Sequence, residues 1–235
     1  MNVINVMNVF LSQLMEKVRD WLFPPFCVSC NRPGSWWCGD CKGRVEKIQS
    51  RICPACLSLE NHVCGGDLPF KQVWSFGLYH DPVLRAVITK IKFNGVTIVK
   101  NDLAEFLSNF PAPVFFQDAV IMPMPLSEKR LKERGFNQAE YLAQIMKEVF
   151  GWPNTIDLDI VKRVKHRDPQ SGMGHEYEVR AGNISGVFEC VKEPPGSVVL
   201  IDDVSTTGAT AAEAARVLMQ AGTEEVYLVT LAIGA

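Results

Sequence analysis

At roughly 150 residues per domain, the 235 residues of this chain correspond to one medium domain with a small appendage. Hydrophobic residues make up 47% and charged residues 21%, with a mean hydropathy of +0.05, which excludes a disordered, collagen-like or bilayer-resident chain. A net charge of −2 excludes a global field that would draw the chain to nucleic acid or anionic membranes, so any polyanion site must be local.

Residues 1–26 are expected to form an N-terminal amphipathic helix. Over residues 8–23 the pattern fits an amphipathic helix with Val9, Phe10, Leu14, Val18, Trp21 and Leu22 on one side, open to docking on protein or to membrane anchoring. The segment lacks a basic n-region and a small-residue cleavage site, and no run approaches 18 consecutive apolar residues. A cytoplasmic location is therefore expected, where clustered thiols suggest metal rather than disulfides. The first residues before Phe10 read as an extension, with Met7 a candidate start.

Seven of the eight cysteines fall between Cys27 and Cys64, which defines an expected metal module over residues 27–68. Two C-x-x-C turns, Cys27/Cys30 and Cys38/Cys41, can close a tetrahedral thiolate shell around Zn²⁺. A disulfide pair and a thioredoxin-type redox turn are the alternatives. Cys53, Cys56, His62 and Cys64 make a second zinc set by count, unless His62 is a surface histidine. So short a segment buries little apolar surface, the situation in which metal ligation supplies the folding free energy.

From about residue 69 to 235 the texture is that of an α/β domain. Strands are expected at Trp74–Tyr79, Ala119–Pro123, Ile160–Val164, Gly186–Val191, Val198–Ile201 and Val226–Ile233. Helices are expected at Pro82–Phe93, Asp102–Phe110, Asn137–Phe150 and Thr210–Ala221. Short Val/Ile/Leu runs without alternation predict a mainly parallel sheet flanked by helices, with ligands beyond the carboxyl ends of its strands. One turn concentrates the chemistry: the strand Val198–Ile201 runs into Asp202 and Asp203, then Ser205, Thr206, Thr207, Gly208, Ala209 and Thr210 open a helix. Hydroxyls, a glycine and a helix N-terminus make a phosphate cradle. The two carboxylates suit ribose hydroxyls, a metal ion, or positive charge developing on a sugar carbon. Alternatively, Thr210-x-x-Glu213 is a capping box and the aspartates are turn residues. Upstream, the run from Ser127 to Arg134 offers Arg130 and Arg134 either to phosphate or to a solvated helix face. Lys162, Arg163, Lys165 and Arg167 lead into a Gly/Pro-punctuated segment that reads as a basic lid.

The stretch from Val198 to Thr210 closely resembles the phosphoribosyl-pyrophosphate motif of type I phosphoribosyltransferases. Met122-Pro-Met-Pro-Leu126, Arg130 with Arg134-Gly-Phe-Asn-Gln138, the stretch from Arg163 through Pro169-Gln170-Ser171 to Arg180-x-x-Asn183, and the cysteine-rich head resemble the ComF family. That family comprises phosphoribosyltransferase-fold proteins with an N-terminal zinc finger, among them competence proteins of the DNA-uptake apparatus. The resemblance runs from Trp21 to nearly the end. It departs at His62-x-Cys64, where the family usually carries another C-x-x-C. It implies that Asp202 and Asp203 hold the ribose hydroxyls and that Ser205 to Thr210 bind the 5′-phosphate. It further implies that the loop at Met124, with Arg130 and Arg134, takes the pyrophosphate. Mg²⁺ would bridge pyrophosphate and ribose oxygens while a nitrogen acceptor displaces pyrophosphate.

Two function classes stand at this point. One is a phosphoribosyltransferase acting on an unidentified nitrogen acceptor, with Arg163 and Lys165 closing over the ligand. The other is a DNA-uptake accessory that binds single-stranded DNA or competence-machinery proteins, for which Trp36 and Trp37 are candidate stacking rings or covers for the zinc site. His80, His166 and His175 have no partner at motif spacing and read as surface or packing residues, so no general base is assigned. Lys90 and Lys92 also match the family pattern, against the default of a basic helix face. No Walker A or G-x-G-x-x-G sequence occurs, so ATP hydrolysis and dinucleotide redox chemistry are not expected.

Overall fold

A computed structural model describes residues 24–48, 52–59, 64–94, 98–115, 118–164 and 186–234. In chain order its elements are α1 (Gly39–Arg44), β1 (Gln72–Ser75), α2 (Pro82–Asn94), α3 (Lys100–Leu107), β2 (Val120–Pro123), α4 (Glu128–Arg134), α5 (Gln138–Phe150), β3 (Val161–Arg163), β4 (Phe188–Cys190), β5 (Ser197–Ser205), α6 (Ala209–Gln220) and β6 (Glu225–Ile233). The expected amphipathic helix at residues 8–23, His62, Lys165, Arg167 and the rest of the lid lie outside the described residues. Among the described residues no helix is long and apolar enough to cross a membrane.

A four-stranded sheet of order β1-β6-β5-β2 forms the frame, and its pairs are all parallel. The two faces separate by residue parity, as the pleat requires. Val199, Ile201, Val229 and Leu231 pack with α2, α3 and α5, while Val198, Leu200, Val226 and Leu228 pack with α6. Burial on both faces explains why these strands read as unbroken apolar runs.

Two expected strands sit elsewhere. Ile160–Val164 and Gly186–Val191 supply β3 and β4, which pair antiparallel as a separate ribbon. The reason is legible in their alternation: Val161 and Phe188 are buried, whereas Lys162 faces Glu189 across the ribbon on the exposed side, and a strand with one wet face does not belong inside a covered parallel sheet. The segment after α5 instead adds a single bridge, Ile156 to Ile121, at the open edge of β2. Trp74–Tyr79 shortens to β1 plus an isolated bridge from Leu78 to Ile233. The run from Ser127 to Arg134 is a helix, α4, capped by Ser127 and Gly135, with no buried residue.

The first cysteine module shares the main core. Cys27, Trp37, Cys41 and Val45 pack in one cluster with α2 and α3. Trp37 is 0% exposed, packs its ring at a tilt against Phe106 with centroids 4.6 Å apart and donates its backbone N–H to Asp102 (3.1 Å). Lys42, also buried, pairs with Asp102 (3.0 Å) and with Glu105. Trp37→Ala is expected to lower stability by about 3–5 kcal/mol, the usual cost of deleting a buried large aromatic, as read by denaturant titration. A loss below about 1 kcal/mol would mean that the module does not dock on α3.

Candidate functional site

The crevice follows from the topology. Strand β2 ends at Pro123 opposite Ile201, and after Met124 N–H donates to Ile201 C=O (2.8 Å) the chain turns away toward α4 and α5. Strand β5 continues to Ser205 beside β6, then feeds α6 on the other face. Neighbouring strands whose connections leave to opposite faces open a gap at their carboxyl ends. A cavity of about 260 Å³ occupies it, lined by Lys92, Arg130, Arg134, Arg163, Asp202, Asp203 and the loop from Val204 to Ala211, among others.

The aspartates lie inside β5 rather than in the turn after it, because β6 extends the ladder past them. Both carboxyls line the crevice and interact with one another. Asp202 feels the charge of Arg163. Burial, then the neighbouring Asp203 charge, holds its carboxyl well above the usual range, against the backbone N–H of Asp203 and the charge of Lys92; Oδ1 accepts that N–H at 2.8 Å. Asp203, 4% exposed, is in phase with Val199 and Ile201 and meets α2, where Lys92 Nζ stands 3.2 Å from its Oδ2. That contact is charge proximity without hydrogen-bond alignment: Oδ2 is buried and has no hydrogen-bond partner among the described residues. A buried carboxylate oxygen in that state is an acceptor set up for a donor or cation from outside.

The hydroxyl loop closes the crevice. Gly208, at φ +74°, is the N-cap of α6, a left-handed position that suits glycine. The helix begins at Ala209, so Thr210 is not its N-cap and the alternative reading of a capping box with Glu213 does not hold; Glu213 instead accepts from Gly186 N–H (2.9 Å). The α6 N-terminus thus offers its N–H groups and dipole to an anion.

The opposite wall is basic. Arg130 and Arg163 come close enough for the Arg130 charge, after burial, to lower the Arg163 guanidinium, with Asp202 opposing. The Arg163 guanidinium also lies 5.5 Å over the Phe188 ring. Arg134 donates to Gln138 (2.9 Å), and Asn137 donates to Met124 C=O (3.1 Å), which fixes the loop that carries Met124. Every described member of the predicted set, Met124, Arg130, Arg134, Arg163, Asp202, Asp203 and Ser205 to Thr210, lines this one cavity. Lys92 was legible only as a family match, and Gln138 only as a motif letter. Lys90, two positions from Lys92 and so on the other side of the helix, lies over the Trp36 ring at 4.6 Å. His80 stands 3.6 Å from Glu46 on the surface.

Two thiol clusters could hold a structural metal: Cys27, Cys30, Cys38 and Cys41, and Cys53, Cys56 and Cys64. The contacts Cys30–Cys38 and Cys53–Cys64 are both 3.6 Å, near the edge of about 3.8 Å that a tetrahedron with Zn–S bonds of about 2.3 Å requires. The turns at Cys27/Cys30 and Cys53/Cys56 share a backbone: Asn31 N–H donates to Cys27 C=O and Leu57 N–H to Cys53 C=O, each at 2.8 Å, with Asn31 and Leu57 both left-handed. Burial pushes the Cys27 thiol up, but backbone N–H groups of Cys30, Cys38 and Ser29 bring it down to about 6.

Comparison with characterised chains finds similarity along most of the sequence. The chain is 28% identical over 205 residues to "Competence protein ComFC" of Bacillus subtilis, spanning 81% of each chain. It is 28% identical over 225 residues to "Competence protein F" of Haemophilus influenzae, spanning 83% of this chain and 96% of that one. It is 26% identical over 223 residues to "DNA utilization protein YhgH" of Escherichia coli K12, spanning 87% and 95%. No family profile matches the chain.

Proposed function

We propose, starting from the fact that this chain belongs to the ComF family, that its crevice binds phosphoribosyl pyrophosphate with Mg²⁺ and transfers the phosphoribosyl group to a nitrogen acceptor, in the service of DNA uptake or utilization. The relatives' names support the cellular role. The observation that carries the chemistry is Asp203 Oδ2, buried and without a hydrogen bond, 3.2 Å from Lys92 in a cavity whose lining includes the phosphate-type loop and the basic wall. Ribose hydroxyls or a hydrated cation would satisfy it, and phosphate would sit on Ser205 to Thr210.

The donor set fits Mg²⁺, which takes one or two carboxylates and shares the rest of its shell with water and phosphate oxygens. When bound, it would offset charge building on the leaving pyrophosphate. The chain's own residues then have separable tasks. Asp202 and Asp203 hold the ribose hydroxyls and the cation, and Arg130, Arg134 and Arg163 receive the pyrophosphate. The acceptor nitrogen forms its bond to C1 as the C1–O bond breaks, and pyrophosphate leaves with the electron pair. Zinc is the proposed metal of the thiol clusters.

A second reading, single-stranded DNA on an outer face, draws on a groove of about 570 Å³ lined by Arg85, Lys90 and Phe93. Phe93 is 77% exposed, and Arg85 lies over Tyr79. Cations beside exposed rings are what a sequence-tolerant strand binder uses. Arg163→Glu tests the division of labour. Phosphoribosyl pyrophosphate affinity should fall about tenfold or more, as expected on reversing a charge within a partly buried anion site. Single-strand binding, followed by its salt slope, should stay unchanged. The reverse pattern would assign the basic wall to DNA.

A further inference from the structure

The second cysteine turn touches the crevice from behind. Leu57, at its end, is buried and holds φ +65°, a left-handed conformation that is strained for a branched side chain. The chain then returns across the turn. Gly66 N–H donates to Cys64 Sγ (3.3 Å), and Leu68 N–H donates to Ala55 C=O (3.0 Å). The crossing is so close that a Cβ on Gly66 would meet Ala55 O at 2.2 Å. This double layer sets two leucines against the phosphate-type loop: a Cβ on Gly208 would stand 2.8 Å from Leu68 Cδ1 and 3.1 Å from Leu57 Cδ1. Arg216 of α6 adds a 3.6 Å ion pair to Asp67. The four-cysteine module has a different seat, on α3 through Trp37 and Lys42.

We propose that the thiol turn at Cys53, Cys56 and Cys64 positions the phosphate loop through Leu57 and Leu68, so that metal occupancy there sets the affinity of the crevice for its phosphate-bearing ligand. The inference rests on the crevice reading above. A bound metal holds the turn, and the turn holds Leu57 in its strained conformation. The two leucines then leave Gly208 no room to move out of the geometry that aims the α6 N–H groups at the ligand. Without the metal, Leu57 relaxes, the wedge retreats and the loop spends less time in its binding geometry. Affinity falls in proportion to that fraction.

The test compares wild type, Cys64→Ser, Leu68→Ala and the double variant by metal analysis, by amide hydrogen exchange at Thr206 to Ala212 in the unliganded protein, and by calorimetric titration with phosphoribosyl pyrophosphate and Mg²⁺. Cys64→Ser should lose one of two metal ions, speed exchange in the loop and weaken binding by about fivefold or more. Leu68→Ala should keep both ions yet reproduce the exchange and affinity changes, and the double variant should be no worse than the stronger single, since both act through one contact. If Cys64→Ser does not fold, Leu68→Ala decides alone. Wild type holding a single ion, loop exchange unchanged after metal loss, or Leu68→Ala indistinguishable from wild type would each overturn the proposal. Wild type that binds no ligand at all would instead sink the crevice reading, while loop exchange still decides whether the turn controls the loop.

Discussion

Replacing Asp202 and Asp203 together with Asn is expected to abolish the rise in melting temperature that phosphoribosyl pyrophosphate with Mg²⁺ gives the wild-type protein. At a ligand concentration of 100 times Kd, that rise corresponds to about 2.7 kcal/mol, or about 5–10 °C for a chain of this size. The double variant neutralises both Asp203, whose buried Oδ2 has no hydrogen-bond partner, and the Asp202 carboxyl, whose pKa burial raises. Equal stabilisation of variant and wild type would move the site elsewhere.

The same carboxyl predicts a pH dependence in the unliganded protein. Its folded-state value is raised, so its contribution to stability is fully present below the unfolded carboxylate value of about 4 and is lost as pH rises through the folded value. Asp202→Asn cannot ionise and keeps the acceptor for Asp203 N–H. The single variant should therefore gain on wild type in melting temperature as pH is raised from about 4 to 8, while its ligand response declines. A difference in melting temperature that does not change with pH would contradict the raised carboxyl. The trade of stability for binding is what a site preorganised for cationic charge entails.

Stripping the metal from Cys27, Cys30, Cys38 and Cys41 is expected to unfold more than the cysteine module. Structural Zn²⁺ sites bind with about 10–16 kcal/mol of apparent free energy, as much as the whole stability of an ordinary domain. Here Cys27 and Cys41 lie in the same buried cluster as Leu84, Ile88, Leu103 and Phe106 of α2 and α3. Chelation should produce one cooperative loss of near-ultraviolet and far-ultraviolet circular dichroism, and Cys41→Ser should be recovered mainly as insoluble protein. Protein purified without chelator that contains less than about one zinc per chain would falsify the assignment. A chelated protein that keeps its sheet and helix signals would show that the module is an accessory to a self-sufficient domain.

The sequence by itself determined the parts whose signal is local. C-x-x-C spacing, the acid pair followed by Ser, Thr and Gly, and apolar runs of sheet length each depend on a few consecutive residues, and each reappears as two thiol clusters, a crevice loop and a parallel sheet. Tertiary structure alone decided what depends on residues distant in the chain. Asp202 and Asp203 looked alike as adjacent letters; in the packed chain they share one crevice with different neighbours, Asp202 feeling Arg163 and Asp203 standing 3.2 Å from Lys92. Lys90 and Lys92 were equally basic, and the turn of α2 sent one to Trp36 and the other to the crevice. Trp36 and Trp37 were a pair of candidate rings until docking on α3 buried Trp37 against Phe106. Nothing near Cys53 hints that Leu57 and Leu68 lean on Gly208, because that contact joins segments some 140 residues apart in the numbering, and only the packed chain brings them together.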